Sequence, residues 1–124
     1  MLEGKAVLIV DDDTMLQNMY GEQLKYEGML VEYAKDGNEA LRVARENHPN
    51  IIILDIMMPL INGIDVLKSL KADESTKDIP VVILSALSNP DQKLLAKQNG
   101  AKEFLVKSDV LPVDVVTIIT QILQ

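Results

Sequence analysis

The sequence predicts an α/β domain: a five-stranded parallel sheet, doubly wound, with helices on both faces. Two observations carry that prediction. Short apolar runs at Ala6–Val10, Leu30–Ala34, Ile51–Leu54, Val81–Leu84 and Glu103–Val106 alternate with helix-period segments. Within them, Ile51-Ile52-Ile53-Leu54 is apolar at every position, as a strand buried on both faces must be. A βα unit repeated five times closes into a parallel sheet through right-handed crossovers. With 124 residues and 48% hydrophobic content, the chain fills one domain with its own core and is too short for two. Residues 1–124 are therefore expected to form a single domain.

The elements follow in order. After the first strand, Leu16, Tyr20 and Leu24 recur at a spacing of four, the buried stripe of a helix that Gly28 ends. Asp36 with Glu39 three residues on predicts a capping box at the start of the second helix. Pro80 stands where the fourth strand begins, a position that needs no backbone donor. Asn89 caps the fourth helix, with Pro90 at its first position and Gly100 past its end. Val115, Ile118, Ile119 and Ile122 line one face of the last helix, and Val116 and Leu123 widen it.

Composition removes several function classes. A net charge of −7 and a pI near 4.6 oppose a phosphate-backbone footprint, which needs clustered Lys and Arg. Aromatics are 3%, with no Trp and one Phe, Phe104, so base-stacking platforms are missing too. No direct nucleic-acid binding is expected. There is no Cys, hence no disulfide framework or thiolate chemistry. The N-terminus lacks a signal-peptide layout, and charge or Pro breaks every apolar run before membrane-spanning length. A cytoplasmic chain with no membrane partner is the expectation.

Ligands of open α/β sheets bind beyond the carboxyl ends of the strands, and there this chain places its polar chemistry. Strand one ends in Asp11-Asp12-Asp13, strand three in Asp55, strand four in Ser85-Ala86, and strand five in Lys107. Asp55 follows an otherwise apolar run, so burial would push it toward protonation unless a cation compensates. Were these ends neighbours, clustered carboxylates would call for Mg²⁺, which prefers hard oxygen ligands and takes one or two carboxylates plus phosphate oxygens. A metal beside an ammonium and a hydroxyl suits a phosphoryl group. Each part also has a plain structural use: Asp13 as a helix cap, Ser85 as a turn residue, Lys107 as a solvated cation, Phe104 as core.

Val10-Asp11-Asp12, Asp55 with Met58-Pro59 and Gly63, Ser85-Ala86, and Gly100-Ala101 leading to Phe104 and Lys107 form an ordered set that resembles the receiver domain of two-component response regulators, over nearly the whole chain. The resemblance implies strand order 2-1-3-4-5 in a flavodoxin-like three-layer sandwich. It implies that Asp55 is the phosphoacceptor, taking a phosphoryl group from a phosphohistidine of a sensor histidine kinase or phosphotransfer protein. Asp12 would bind Mg²⁺ directly and Asp11 mainly through water, with Asp55 and the Met57 backbone carbonyl completing the protein ligands. Lys107, the Ser85 hydroxyl and the Ala86 backbone N–H would hold the phosphoryl oxygens.

The resemblance also implies an output. Ser85 would move toward the phosphate and position 104, an aromatic switch in the family, would turn into the space left. Phe104 replaces the commoner Tyr, so burial alone favours its inward state. The implied receivers of the signal are a downstream protein or a fused output domain, with a phosphorylation-dependent homodimer through helix four, strand five and helix five. Met57 and Leu87 would flank the phosphate entrance, and neither orients a hydrolytic water, so a persistent aspartyl phosphate is expected. One departure stands out: Ser108 follows Lys107 where the family usually has Pro, often with a cis bond. A cis bond before a non-proline residue costs about 2.5–4 kcal/mol, which bears on the reach of Lys107.

Two rival readings fall behind and a third remains. A haloacid-dehalogenase-type phosphatase needs Asp-x-Asp-x-Thr, and Met15 stands at the Thr position. In a flavodoxin-like electron carrier, Asp11-Asp12-Asp13 would repel the FMN phosphate. A receiver-like protein-binding module that is never phosphorylated remains as the alternative. His48 precedes strand three, away from the carboxyl ends, and reads as a surface loop residue rather than a relay.

Overall fold

The computed structural model describes residues 2–58, 61–86 and 89–124. Strands and helices alternate as β1 (Ala6–Val10), α1 (Thr14–Tyr26), β2 (Leu30–Ala34), α2 (Gly37–Asn47), β3 (Ile51–Leu54), α3 (Gly63–Ala72), β4 (Val81–Ser85), α4 (Pro90–Gln98), β5 (Glu103–Val106) and α5 (Pro112–Leu123). The strands form one parallel sheet in the order β2-β1-β3-β4-β5. This is the predicted doubly wound fold, with β4 one residue longer because Ser85 joins it.

Period-two alternation divides the core in two. Leu8 and Val10 of β1, Ile52 and Leu54 of β3, and Val81 and Ile83 of β4 pack with Ala40, Val43, Leu67, Leu70 and Ala96 of α2, α3 and α4. Val7, Ile9, Ile51, Ile53, Val82 and Leu84 turn the other way, onto Tyr20, Leu24, Val115 and Ile119 of α1 and α5. All four residues of β3 are buried, which is why its sequence shows no alternation. On α5, Val116, Ile122 and Leu123 join the second cluster, while Ile118 is half-buried. Among the described residues, no helix is long and apolar enough to cross a membrane.

The caps agree with the sequence, with one shift. Asn89 accepts from the Asp91 N–H at 2.8 Å, and Gly28 and Gly100 take positive φ of 91° and 98° past α1 and α4, where glycine is free of Cβ strain. Asp36 accepts from the Glu39 N–H at 2.9 Å. The Glu39 carboxylate, however, accepts from the Lys35 N–H at 3.0 Å, one residue before the cap. Its reach closes the turn rather than the predicted box.

One packing feature is costly. The Tyr33 ring of β2 lies so close to Gly21 of α1 that a Cβ there would overlap the phenol oxygen. Among the described residues, that oxygen is the buried side-chain polar atom without a hydrogen-bond partner. A buried unsatisfied hydroxyl costs about 1–3 kcal/mol, so Tyr33→Phe is expected to stabilise the domain by about 1 kcal/mol. A urea midpoint that falls in the variant would contradict this.

Candidate functional site

Sheet register builds the site. Val10 pairs with Leu54, so the next residues, Asp11 and Asp55, leave neighbouring strands side by side. The ladder continues into them: Asp55 N–H donates to the Val10 carbonyl at 2.9 Å and Asp11 N–H to the Ala34 carbonyl at 3.0 Å. On the other side of β4, Ser85 pairs with Val106, which sets Lys107 one residue past that register. Its ammonium then reaches across to the acids.

The two carboxylates divide their oxygens in the same way. Oδ1 of Asp11 accepts from the Asp13 N–H at 2.9 Å, and Oδ1 of Asp55 accepts from the Met57 N–H at 3.1 Å. Each acid thereby folds its own loop and presents Oδ2 to the same cation. Lys107 Nζ donates to Asp11 Oδ2 at 2.8 Å and to Asp55 Oδ2 at 3.4 Å. Asp11 and Asp55 are 5% and 4% exposed, while Asp12 is exposed. The three offer carboxylate oxygens within 4.8 Å of one another. Such a set of hard, anionic oxygens suits a small divalent cation.

Burial, first of all, pushes the Asp55 carboxyl above its ordinary value; the Met57 amide and Lys107 oppose the rise and Asp11 adds to it. For Lys107, burial pulls downward, but the hydrogen bond from its ammonium to Asp11 and the charges of both acids leave its pKa raised. A carboxyl whose folded pKa lies above the unfolded one adds stability below the unfolded value, and loses that contribution as pH rises through the folded value. Asp55→Asn is therefore expected to melt higher than the parent at pH 7 in chelator. The gain is roughly 2–5 °C, since solvent at the pocket mouth screens part of the charge. The difference should shrink below the ordinary value of 3.8. An Asn variant that melts lower at pH 7 would refute this.

Ser85 is fully buried at the end of β4, and Ala86 after it is exposed. Phe104 is 7% exposed and packs in the cluster of α2, α3 and α4, in register with Ile83. The Met57 side chain is exposed. Leu87 and Pro59 lie outside the described residues. Asp13 is not a pocket ligand: its carboxylate caps α1, accepting from Met15 and Leu16 N–H at 2.9 and 3.2 Å. His48 is exposed and left-handed at the end of α2, before β3, away from the pocket as expected.

The Lys107–Ser108 peptide is trans, and Lys107 opens a 3-10 turn over Lys107–Asp109. The lysine reaches both acids from that turn without the family's proline. One supporting residue was not foreseen. Gln17 of α1, 3% exposed, donates to the Ala34 carbonyl at 2.8 Å, the acceptor that also holds the Asp11 N–H. Its sole sequence signal was an amide next to the apolar stripe of α1.

Comparison with known proteins agrees with this geometry. The family model described as the response regulator receiver domain matches residues 7–120. The transcriptional regulatory protein PrrA of Mycobacterium tuberculosis is 43% identical over 105 residues, 85% of this chain and 44% of the relative. The DNA-binding response regulator MtrA of Mycobacterium leprae is 37% identical over 103 residues, 83% of this chain and 44% of the relative. The chain thus spans less than half the length of these curated relatives. Among solved structures, the chemotaxis response regulator CheY4 of Vibrio cholerae superposes with a TM-score of 0.88 at 30% identity, covering 95% of this chain and 98% of that one. A carboxylate pair under a lysine at the ends of a 2-1-3-4-5 sheet, and these matches along the same residues, make the chain a member of the response regulator receiver family of two-component signalling.

Proposed function

We propose that residues 1–124 act as a single cytoplasmic receiver domain that accepts a phosphoryl group on Asp55 in a Mg²⁺-dependent reaction. The observation that carries this reading is the in-register meeting of Asp11 and Asp55 beneath the Lys107 ammonium. An Asp55 carboxylate oxygen attacks phosphorus in line; the new P–O bond forms as the bond to the donor's histidine nitrogen, or to the acyl oxygen of a small donor, breaks. Lys107 neutralises charge on the transferred oxygens, and the Ser85 hydroxyl and Ala86 N–H hold the others. Asp11, Asp12, Asp55 and the Met57 carbonyl would hold Mg²⁺. When bound, the cation withdraws charge from the phosphoryl oxygens and screens the acids from one another.

Only Asp55 changes covalently, so the domain is a phosphoacceptor rather than an enzyme with turnover on a separate substrate. The donor is a sensor histidine kinase or phosphotransfer protein, and the output is a downstream protein or fused output domain. Phosphate that engages Ser85 better in one arrangement of the β4–α4 loop shifts the population toward it. Phe104, held inward by apolar burial, fits that state without a hydroxyl. A homodimer through α4, β5 and α5 is its proposed consequence.

The test is intact mass after incubation with Mg²⁺ and acetyl phosphate. A gain of one phosphoryl group that vanishes in Asp55→Asn supports the reading; no gain points to an inert receiver-like module. After donor removal at neutral pH in Mg²⁺, the phosphoryl group is expected to persist, because the thioether of Met57 accepts no strong hydrogen bond from water. Loss within seconds would contradict that expectation.

A further inference from the structure

We infer that Met57 is a modification site: its oxidation to the sulfoxide by a hydroperoxide would shorten the life of the phosphoryl group on Asp55. The inference rests on the phosphoacceptor reading above and extends it to a second input.

The chain has no cysteine, so methionine carries all of its oxidisable sulfur. Met29 is 4% exposed, whereas Met15, Met57 and Met19 are 81%, 52% and 44% exposed. Oxidation of a thioether needs access, and these three have it. All three lie toward the carboxyl ends of the strands, Met15 and Met19 in the first half of α1 and Met57 just beyond β3. Of these three, Met57 alone belongs to the loop of the acceptor; its neighbour Met58 is half-buried and packs against the core. Its N–H holds Asp55 Oδ1 at 3.1 Å, while its side chain stands in solvent two residues from that carboxylate.

The sulfur gives two electrons to the hydroperoxide, the O–O bond breaks, an S–O bond forms, and water or an alcohol leaves. The product is polar and accepts hydrogen bonds strongly, in place of a side chain that does not. Loss of phosphate requires a water in line with the P–O bond to Asp55. As the water oxygen bonds to phosphorus, the bond to Asp55 breaks, its carboxylate returns, and the water's proton leaves with the inorganic phosphate. The sulfoxide oxygen accepts a hydrogen bond from that water and so orients it, without taking its proton.

The experiment follows phosphoryl loss by intact mass in Mg²⁺, after acetyl phosphate is removed, for protein before and after treatment with hydrogen peroxide. Peptide mass analysis should find the added oxygen on Met57 and not on Met29. The oxidised protein is expected to lose its phosphoryl group about fivefold faster, the worth of one added hydrogen bond in the transition state, and methionine sulfoxide reductases should restore the slow rate. Met57→Leu should abolish the ratio of oxidised to reduced rates whatever its own baseline, while Met15→Leu with Met19→Leu should keep it. Met57→Gln, with a carbonyl acceptor at similar reach, should be fast without peroxide. An unchanged lifetime in protein oxidised at Met57, or a ratio that survives Met57→Leu, overturns the inference alone. Failure of the untreated protein to gain a phosphoryl group overturns the phosphoacceptor reading and this inference together.

Discussion

Lys107→Met is expected to slow phosphoryl gain from acetyl phosphate by about 100-fold, the usual scale for removing one preorganised charge-stabilising donor. Among the described residues, Lys107 is the ion-pair partner of both Asp11 and Asp55, with its own side chain 14% exposed. Its loss acts twice on the proposed reaction. The transferred oxygens lose a positive charge, and Asp11, no longer neutralised by the ammonium, pushes the Asp55 carboxyl further above its ordinary value. Lys107→Arg restores charge but replaces a compact ammonium with a planar fork, so it should recover the rate only in part. The stability of the domain should also change character. A lysine with a raised pKa contributes stability that is full below its ordinary value of 10.5 and is lost as pH rises through the folded value; the Met variant should show no such alkaline loss. Without the ammonium, two buried acids face each other, so Mg²⁺ should raise the Tm of Lys107→Met more than that of the parent. A variant phosphorylated within threefold of the parent rate would remove Lys107 from the mechanism.

The sequence revealed the frame of this site because parallel register converts chain position into spatial position. Once Ile51–Leu54 is a strand beside Ala6–Val10, the residues after each must be neighbours, and Asp11 and Asp55 meet. What the sequence left open depends on torsions and atom choices that no pattern encodes. The division of each carboxylate between an amide at Oδ1 and the lysine at Oδ2 is of that kind. So is the 3-10 turn by which Lys107 reaches the acids with a trans peptide before Ser108. Gln17 was hidden because its partner, the Ala34 carbonyl, lies 17 residues away. Asp13 shows the opposite case, in which the ordinary use of a residue type, an Asp at a helix N-cap, was the right one.

Gly63→Ala is expected to cost about 3 kcal/mol of stability, at the upper end for overpacking at a rigid backbone contact. Gly63 opens α3, and its N–H donates to the Ile56 carbonyl at 3.1 Å. A Cβ there would overlap the Asp55 carbonyl oxygen and the Ile56 Cα. Glycine is needed for this close approach and not for a positive φ. The neighbours it would displace are main-chain atoms held by β3, so no rotamer change relieves the overlap. Relief requires moving the start of α3 or the backbone after Leu54, and the latter carries both Asp55 and the Met57 amide that orients it. The substitution should therefore lower the urea midpoint and also slow phosphoryl gain in the fraction that remains folded. Gly4→Ala is the matched control: its φ is 77° and nothing lies within 4 Å of a Cβ there, so it isolates the backbone cost of about 1 kcal/mol away from the pocket. Equal destabilisation by the two substitutions would mean that helix α3 does not bear on the acceptor loop. A larger loss in Gly63→Ala, with slowed phosphorylation, would place the acceptor's geometry under the control of that one missing methyl group.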